Sequence, residues 1–228
     1  SVKPQERMKI DKEIEHQFVG TQCGIMDQMV SACGSIRQAI FLDCESLQIK
    51  PLPIFFNHTF IVIHSGSKRK LSLGSYNERK VETTAASKTL KVPSLRYASF
   101  DQINLIKDLT IQKRAKHIIS ENDRVIQAAS CLEENDAKKF GELMYLSHQS
   151  MRDDYEISSD ELNQVVESAN NNGALGARLT GAGFGGCVIL LTDSEKTKLI
   201  KQSIFSQCPQ ASFITTISEI SNLVGSDK

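Results

Sequence analysis

Thr180-Gly181-Ala182-Gly183-Phe184-Gly185-Gly186-Cys187-Val188-Ile189-Leu190-Leu191 sets a run dense in glycine directly ahead of an unbroken apolar stretch. The apolar part has the length and composition of a strand buried on both faces. Glycines at this density let the backbone approach a phosphate or another backbone closely and expose N–H groups as an anion nest. The order is neither that of a P-loop nor that of a strand-first Rossmann fingerprint, so both of those readings are excluded. A bulge or tight turn before a strand explains the glycines equally well, and the residues alone leave the two open. Downstream, Asp193 or Ser194 begins a helix over 194–207, followed by a strand near 211–217. The spacing makes a βα alternation typical of a ferredoxin-like α+β layer.

Upstream, Ser158 and Glu161 have capping-box spacing, and Leu162, Val165, Val166 and Ala169 recur with helical period until Asn170-Asn171-Asn172-Gly173 ends the helix. Asp153 and Asp154 resemble a metal or acid/base pair only on paper, because neighbours on a helix diverge by about 100°. Residues 112–134 read as a long charged helix with Ile118, Val125, Ala128, Ala129 and Leu132 inside, and 136–150 as another. A helix begins near Ser75 and presents Tyr76 close to its start, where an amphipathic tyrosine serves as a ligand contact or as a core anchor. Thr59–Ile63 is the most strand-like run, and the passage between two domains is expected there. Ahead of it, Ala39–Leu42 and Leu47–Ile49 read as a hairpin-like pair of strands, with Pro51 and Pro53 breaking further pairing. Residues 3–17 read as a charged helix with a thin apolar stripe.

Gly20-Thr21-Gln22-Cys23-Gly24-Ile25-Met26-Asp27-Gln28-Met29-Val30-Ser31 places one carboxylate inside an apolar, helix-spaced run closed by Gly34. Ile25, Met26, Met29, Val30 and Cys33 gather on one face, and Gly24, Asp27 and Ser31 on another. An ionised Asp in the first turns, favoured by the positive helix end, is suited to act as a general base. Asp is also common near helix starts for the dipole alone, so spacing does not decide between the two.

Composition bounds the possibilities. The chain has 228 residues, 27 basic and 27 acidic, for a formal net charge of zero, so it carries no overall electrostatic footprint for nucleic acid or an anionic membrane. No stretch approaches a membrane span, and the polar start has no signal-peptide core. Six cysteines without a Cys-x-x-Cys pair suit a reduced cytoplasmic protein, and five histidines lack zinc-ligand spacing and read as surface or packing residues. His117 and Glu121 read as a solvated helix face. No metal ligands are assigned.

Phe18-Val19-Gly20-x-x-Cys23-Gly24-Ile25-Met26-Asp27-Gln28 resembles the segment that carries the catalytic aspartate in galactokinases, within the GHMP family of sugar and small-molecule kinases. Ser75-Tyr76-Asn77-Glu78-Arg79 is similar to the family's Ser-x-Tyr-Asn-x-Arg segment, and Ser147-His148-Gln149-Ser150-Met151-Arg152-Asp153-Asp154-Tyr155-Glu156 to its Ser-His-x-Ser-x-Arg-Asp-Asp run. Arg178–Cys187 resembles the family's third glycine-rich motif. The likeness is strongest to bacterial members, and it departs at Leu95-Arg96-Tyr97, where they usually carry Leu-Arg-Asp, which questions a local cap or salt link.

The resemblance implies a GHMP kinase fold of α+β class. Residues 1–60 would be a remnant of an N-terminal, ribosomal-S5-like domain, and 61–228 a ferredoxin-like C-terminal domain. It implies transfer of the ATP γ-phosphoryl to the anomeric hydroxyl of galactose, with ATP and Mg²⁺ as cofactors and no nucleic-acid or membrane partner. Asp27 would be the base, Gly24, Asp27 and Tyr76 would line the sugar, and Gly181, Gly183, Gly185 and Gly186 would shape the phosphate side. The family's N-terminal Gly-Glu-His-x-Asp motif and its second, Gly/Ser-rich motif do not occur in these 228 residues. The chain alone is therefore expected to be an incomplete, inactive fragment, with a non-catalytic sugar-binding or sensor module as the alternative. Intact family members are expected to be monomeric, whereas this piece is expected to self-associate through residues 18–50.

Overall fold

The computed structural model describes residues 26–34, 38–55, 57–67 and 73–218. They fall in two compact units, one drawn from Ser1–Pro53 and Leu71–Ala129, the other from Ile54–Lys70 and Ser130–Lys228. The expected helix over 3–17 and the residue Gly24 lie outside the described residues.

The second unit is organised by a four-stranded antiparallel sheet. Its strands are β3 (His58–His64), β4 (Gly176–Thr180), β5 (Cys187–Asp193) and β6 (Ser212–Ser218), in the order β4-β5-β3-β6. Between β3 and β4 the chain forms α4 (Ala137–Asp153) and α5 (Asp160–Asn171), and α6 (Thr197–Gln207) joins β5 to β6. This is the ferredoxin-like layer that the βα alternation implied, with the two strongest apolar runs, β3 and β5, at the sheet centre. One face of β3 contributes Ile61 and Ile63 to a core with Val188 and Leu190, closed by Leu162, Val165 and Ala169 of α5 and Ile200 and Ile204 of α6. Phe55, Phe60 and Phe140 make a separate ring cluster, with centroids 5.2 to 6.4 Å apart. α4 crosses β4 at glycine: a Cβ on Gly176 would stand 2.4 Å from the Gly141 Cα, so only two glycines allow this approach.

The first unit contains α1 (Met26–Cys33), the hairpin β1 (Gln38–Leu42) and β2 (Ile49–Pro53), α2 (Leu73–Leu90), two 3₁₀ turns and most of α3 (Leu109–Glu134). Its main core joins Ala86 and Leu90 of α2 to Leu95, Ile103, Ile106, and Ala115 and Ile119 of α3. The N-terminus of α3 is capped by Asp108, whose carboxylate accepts from the Thr110 and Ile111 amides.

Several local expectations are corrected. Pro51 and Pro53 do not end β2: they pair opposite Ile40 and Gln38. The Asp43 amide donates to the Gln48 carbonyl at 3.0 Å, which fixes the alternation so that both prolines take positions where no ladder N–H is needed. The α5 cap is Ser159, which accepts from the Leu162 amide, while Ser158 donates to Asn163 Oδ1. In α1, Met29 is buried while Met26 and Val30 are about half exposed, so these apolar residues do not form one core-facing stripe. In α3, Val125 is exposed while Arg114 and His117 are buried. The five described cysteines are free thiols. Among the described residues no helix is long and apolar enough to cross a membrane.

Candidate functional site

In the first unit, Asp27 is the second residue of the described helix α1, which closes where the Gly34 amide donates to the Val30 carbonyl at 2.8 Å. Tyr76 lies in the first turn of α2 and is half-buried. Beside it, the Asn77 side-chain oxygen is buried and has no hydrogen-bond partner among the described residues. One turn further along α2, Glu82 accepts from Arg79 at 2.9 Å and from Arg114 of α3 at 2.8 Å, and Arg114 is 2% exposed. A buried guanidinium needs such a carboxylate, and removing either partner is costly. Sequence reasoning missed this tie, because α3 looks solvated and nothing in its pattern marks Arg114 as interior.

The same unit explains the departure at Leu95-Arg96-Tyr97. Arg96 grips Asp43 with two bonds of 3.0 and 2.8 Å, and the Tyr97 hydroxyl donates to Glu45 at 2.6 Å. The salt link left in question at this segment is supplied here by the hairpin turn. Hydrogen bonds from Arg96 and from the Ser46 and Glu45 amides hold the Asp43 carboxyl well below the usual carboxylate range.

In the second unit, the glycine-rich stretch forms a loop between β4 and β5. Gly181, Gly183, Gly185 and Gly186 all have positive φ, from 80° to 118°, and Phe184 joins them at 58°. Phe184 tolerates that backbone because its ring packs on the core of this unit, and its amide donates to the Ile157 carbonyl at 2.6 Å. A side chain at Gly183 is impossible, since its Cβ would lie 2.3 Å from the Ile157 oxygen. The Ser65 amide donates to the Gly186 carbonyl at 2.8 Å, and the Gly186 amide reaches the Ser67 carbonyl at 3.4 Å. Among the described residues, the amides of Ala182, Gly183 and Gly185 have no backbone acceptor. Successive amides freed by such alternating backbone make the concavity in which an anion is bound.

The loop rests on the Ser147–Glu156 motif. His148 is 4% exposed; its Nδ1 accepts from the Leu179 amide at 3.2 Å, so the proton is on Nε2, which donates to Asn163 Oδ1 at 3.1 Å. Burial, with Arg152 and Arg178 nearby, lowers its pKa to about 4. Asp153 turns outward to Arg152, whereas Asp154 is buried and accepts from Ser150 Oγ at 3.0 Å. The two carboxylates do not act together, as the helical geometry required. Among the described residues no cluster of three or more His, Cys, Asp or Glu could hold a metal ion.

The family described as GHMP kinases C terminal matches residues 128–210. A galactokinase of Actinobacillus pleuropneumoniae is 42% identical over 205 residues, covering 86% of this chain and 53% of that protein. The crystal structure of Lactococcus lactis galactokinase complexed with galactose superposes with a TM-score of 0.91 at 32% identity, over 95% of this chain and 60% of the other. At lower identity the likeness is of fold alone: L. major mevalonate kinase in complex with R-mevalonate gives a TM-score of 0.64 at 21% identity, over 96% of this chain and 59% of the other. The chain thus spans about half the length of the curated relatives that it matches.

Proposed function

From the premise that this chain belongs to the galactokinase family of GHMP kinases, we propose that it supplies the C-terminal part of an enzyme that phosphorylates galactose at its anomeric hydroxyl with ATP. In that reaction Asp27 takes the proton of the anomeric hydroxyl as its oxygen attacks the γ-phosphorus and ADP leaves. Gly24 and Tyr76 line the sugar. The Gly181, Gly183, Gly185 and Gly186 loop shapes the phosphate side, where amides without a described backbone acceptor favour negative charge as it spreads over the transferring group. The observation that carries the reading is this loop, whose left-handed backbone and amides without a described backbone acceptor occur in a chain 42% identical to a galactokinase. Mg²⁺ is expected to accompany ATP, but the described residues offer it no ready-made cluster, and no step here depends on it.

The test is a coupled assay with galactose and Mg-ATP. The full-length protein is expected to turn over at about 1–100 per second. The 228 residues by themselves are expected to give none, because they lack the family's second phosphate-cradling motif. Turnover by the isolated chain in the kinase range overturns the division of labour, and inactivity of the full-length protein with galactose bound points to the sensor alternative.

A further inference from the structure

His148 belongs to a motif that the proposed reaction leaves without a role, yet it stands at the root of the glycine loop. From its place on α4 the ring reaches two elements. Nδ1 receives the amide of Leu179, two residues ahead of Gly181, and Nε2 donates to Asn163 of α5, whose Oδ1 also receives Ser158 Oγ at 2.7 Å. Ser158 adjoins Ile157, whose carbonyl holds the Phe184 amide in the middle of the loop. The loop is therefore gripped twice by one short segment: at its entry through His148, and at its centre through Ile157. Every link runs in one direction only. Leu179 N–H can bond only to an unprotonated Nδ1, and Asn163 Oδ1 can accept only from a protonated Nε2, so a single neutral tautomer satisfies the chain.

We infer that His148 is a positioning residue for the glycine loop, using its Nδ1 lone pair to fix the end of β4 and so the spacing of the Ala182, Gly183 and Gly185 amides. This rests on the reading of the loop as the phosphate side of the site. The two ring nitrogens can be separated by substitution. His148→Asn keeps a polar atom at the δ position, where Leu179 is met, and loses Asn163. His148→Gln keeps one at the ε position and loses Leu179. His148→Gln leaves the buried Leu179 amide without its acceptor, while in His148→Asn the Asn163 Oδ1 keeps the Ser158 hydroxyl. Both variants forfeit the packing of the ring, so a merely structural role predicts effects that follow stability and not the retained atom.

The experiment compares full-length wild type, His148→Asn, His148→Gln and Gly185→Ala by steady-state kinetics, by melting temperature and by amide hydrogen exchange at Leu179 and Phe184. His148→Gln is expected to raise the KM for Mg-ATP about tenfold and to speed Leu179 exchange by a similar factor, the worth of one hydrogen bond, with the KM for galactose unchanged. His148→Asn is expected to stay near wild type in both, although its melting temperature falls as much. Equal exchange at Leu179 in all three forms overturns the inference, as does a KM that follows melting temperature instead of the retained nitrogen position. Gly185→Ala separates the two readings: if it leaves the KM for ATP unchanged, the phosphate-side reading fails, and positioning by His148 is then judged on exchange at Leu179 alone. Should His148→Gln fail to fold, wild type and His148→Asn are compared alone: unchanged Leu179 exchange in His148→Asn, which keeps the acceptor at the δ position, is expected, and faster exchange there overturns the inference.

Discussion

The sheet unit and the stretch that carries Asp27 are stabilised by different means. In the sheet unit a continuous core runs from Ile61 and Ile63 through Leu162, Val188 and Leu190 to Ile200 and Ile204, all at most 0% exposed. Around α1, among the described residues, the cluster has Met29 buried and Cys33, Leu42 and Leu47 partly buried against it. Yet the carboxylate with the strongest chemical expectation sits on α1, while the sheet unit contributes mainly backbone amides. Rigid backbone suits an anion nest, whose worth lies in fixed geometry.

The sharpest way to break this contrast is Asp27→Asn in the full-length protein. If the thin region carries the base, the rate falls about 10²–10⁴-fold while sugar binding changes little, because the amide keeps the shape and loses the basicity. A variant with most of the wild-type rate moves the chemistry elsewhere.

Next in size is a pair of truncations. Leu162→Ala opens a cavity under the sheet and is expected to cost about 2–5 kcal/mol in urea melts. Met29→Ala is expected near or below the low end of that range, since its neighbours already reach solvent. Amide exchange should follow the same division, slow in β3 and β5 and fast across α1, β1 and β2. Equal costs for the two truncations would show that the α1 region has a core as deep as the sheet's.

Much of this was readable from residues. The α5 stripe of Leu162, Val165, Val166 and Ala169 is buried as its period demands, and β3 and β5 follow from their apolar runs. What escaped was specified by tertiary partners. Val125 and Val30 have the right spacing but meet no interior surface, while Arg114 and His117 sit on the inner side of a helix that looks solvated. Pro51 and Pro53 stay in a strand because their register spares the missing N–H, a fact fixed only by pairing with β1. Of the site, the glycine loop was legible as a loop. Its support by His148 was not, since a lone histidine in a helical run reads equally as surface or packing.

A smaller effect tests the rigidity of the sheet unit through acid. His148 is neutral in the fold, with its pKa lowered to about 4 from an ordinary 6.5 by burial, by Arg152 and by Arg178, against the favourable pulls of Asn163 and Asp153. Between those values the unfolded chain binds more protons than the folded one. Stability contributed by this site is therefore full above about pH 6.5 and falls as pH drops toward 4, by at most about 3 kcal/mol. In His148→Asn that part of the pH dependence should vanish. If both proteins lose stability in parallel across the interval, another group governs it.

The smallest effect belongs to the thin region, where Arg96 holds the β1–β2 turn through Asp43 and Glu45. The pair is exposed, and exposed ion pairs contribute little and are screened by salt, so Arg96→Ala should leave global unfolding almost unchanged. Its consequence is local. The Asp43 carboxylate caps the Glu45 and Ser46 amides while it receives Arg96, so the arginine steadies a turn whose apolar support is the small cluster of Met29, Leu42 and Leu47. Faster exchange at Glu45 and Ser46 in Arg96→Ala, diminished when wild type and variant are compared in high salt, is the expected result. Because Asp43 is held ionised well below the usual carboxylate range, the clamp contributes fully above that range and is released only as pH falls through its lowered pKa. Exchange at this turn that is already as slow in the variant as in wild type would mean that the hairpin is held by its strand ladder alone, and the region would then be less dependent on surface charge than its shallow burial suggests.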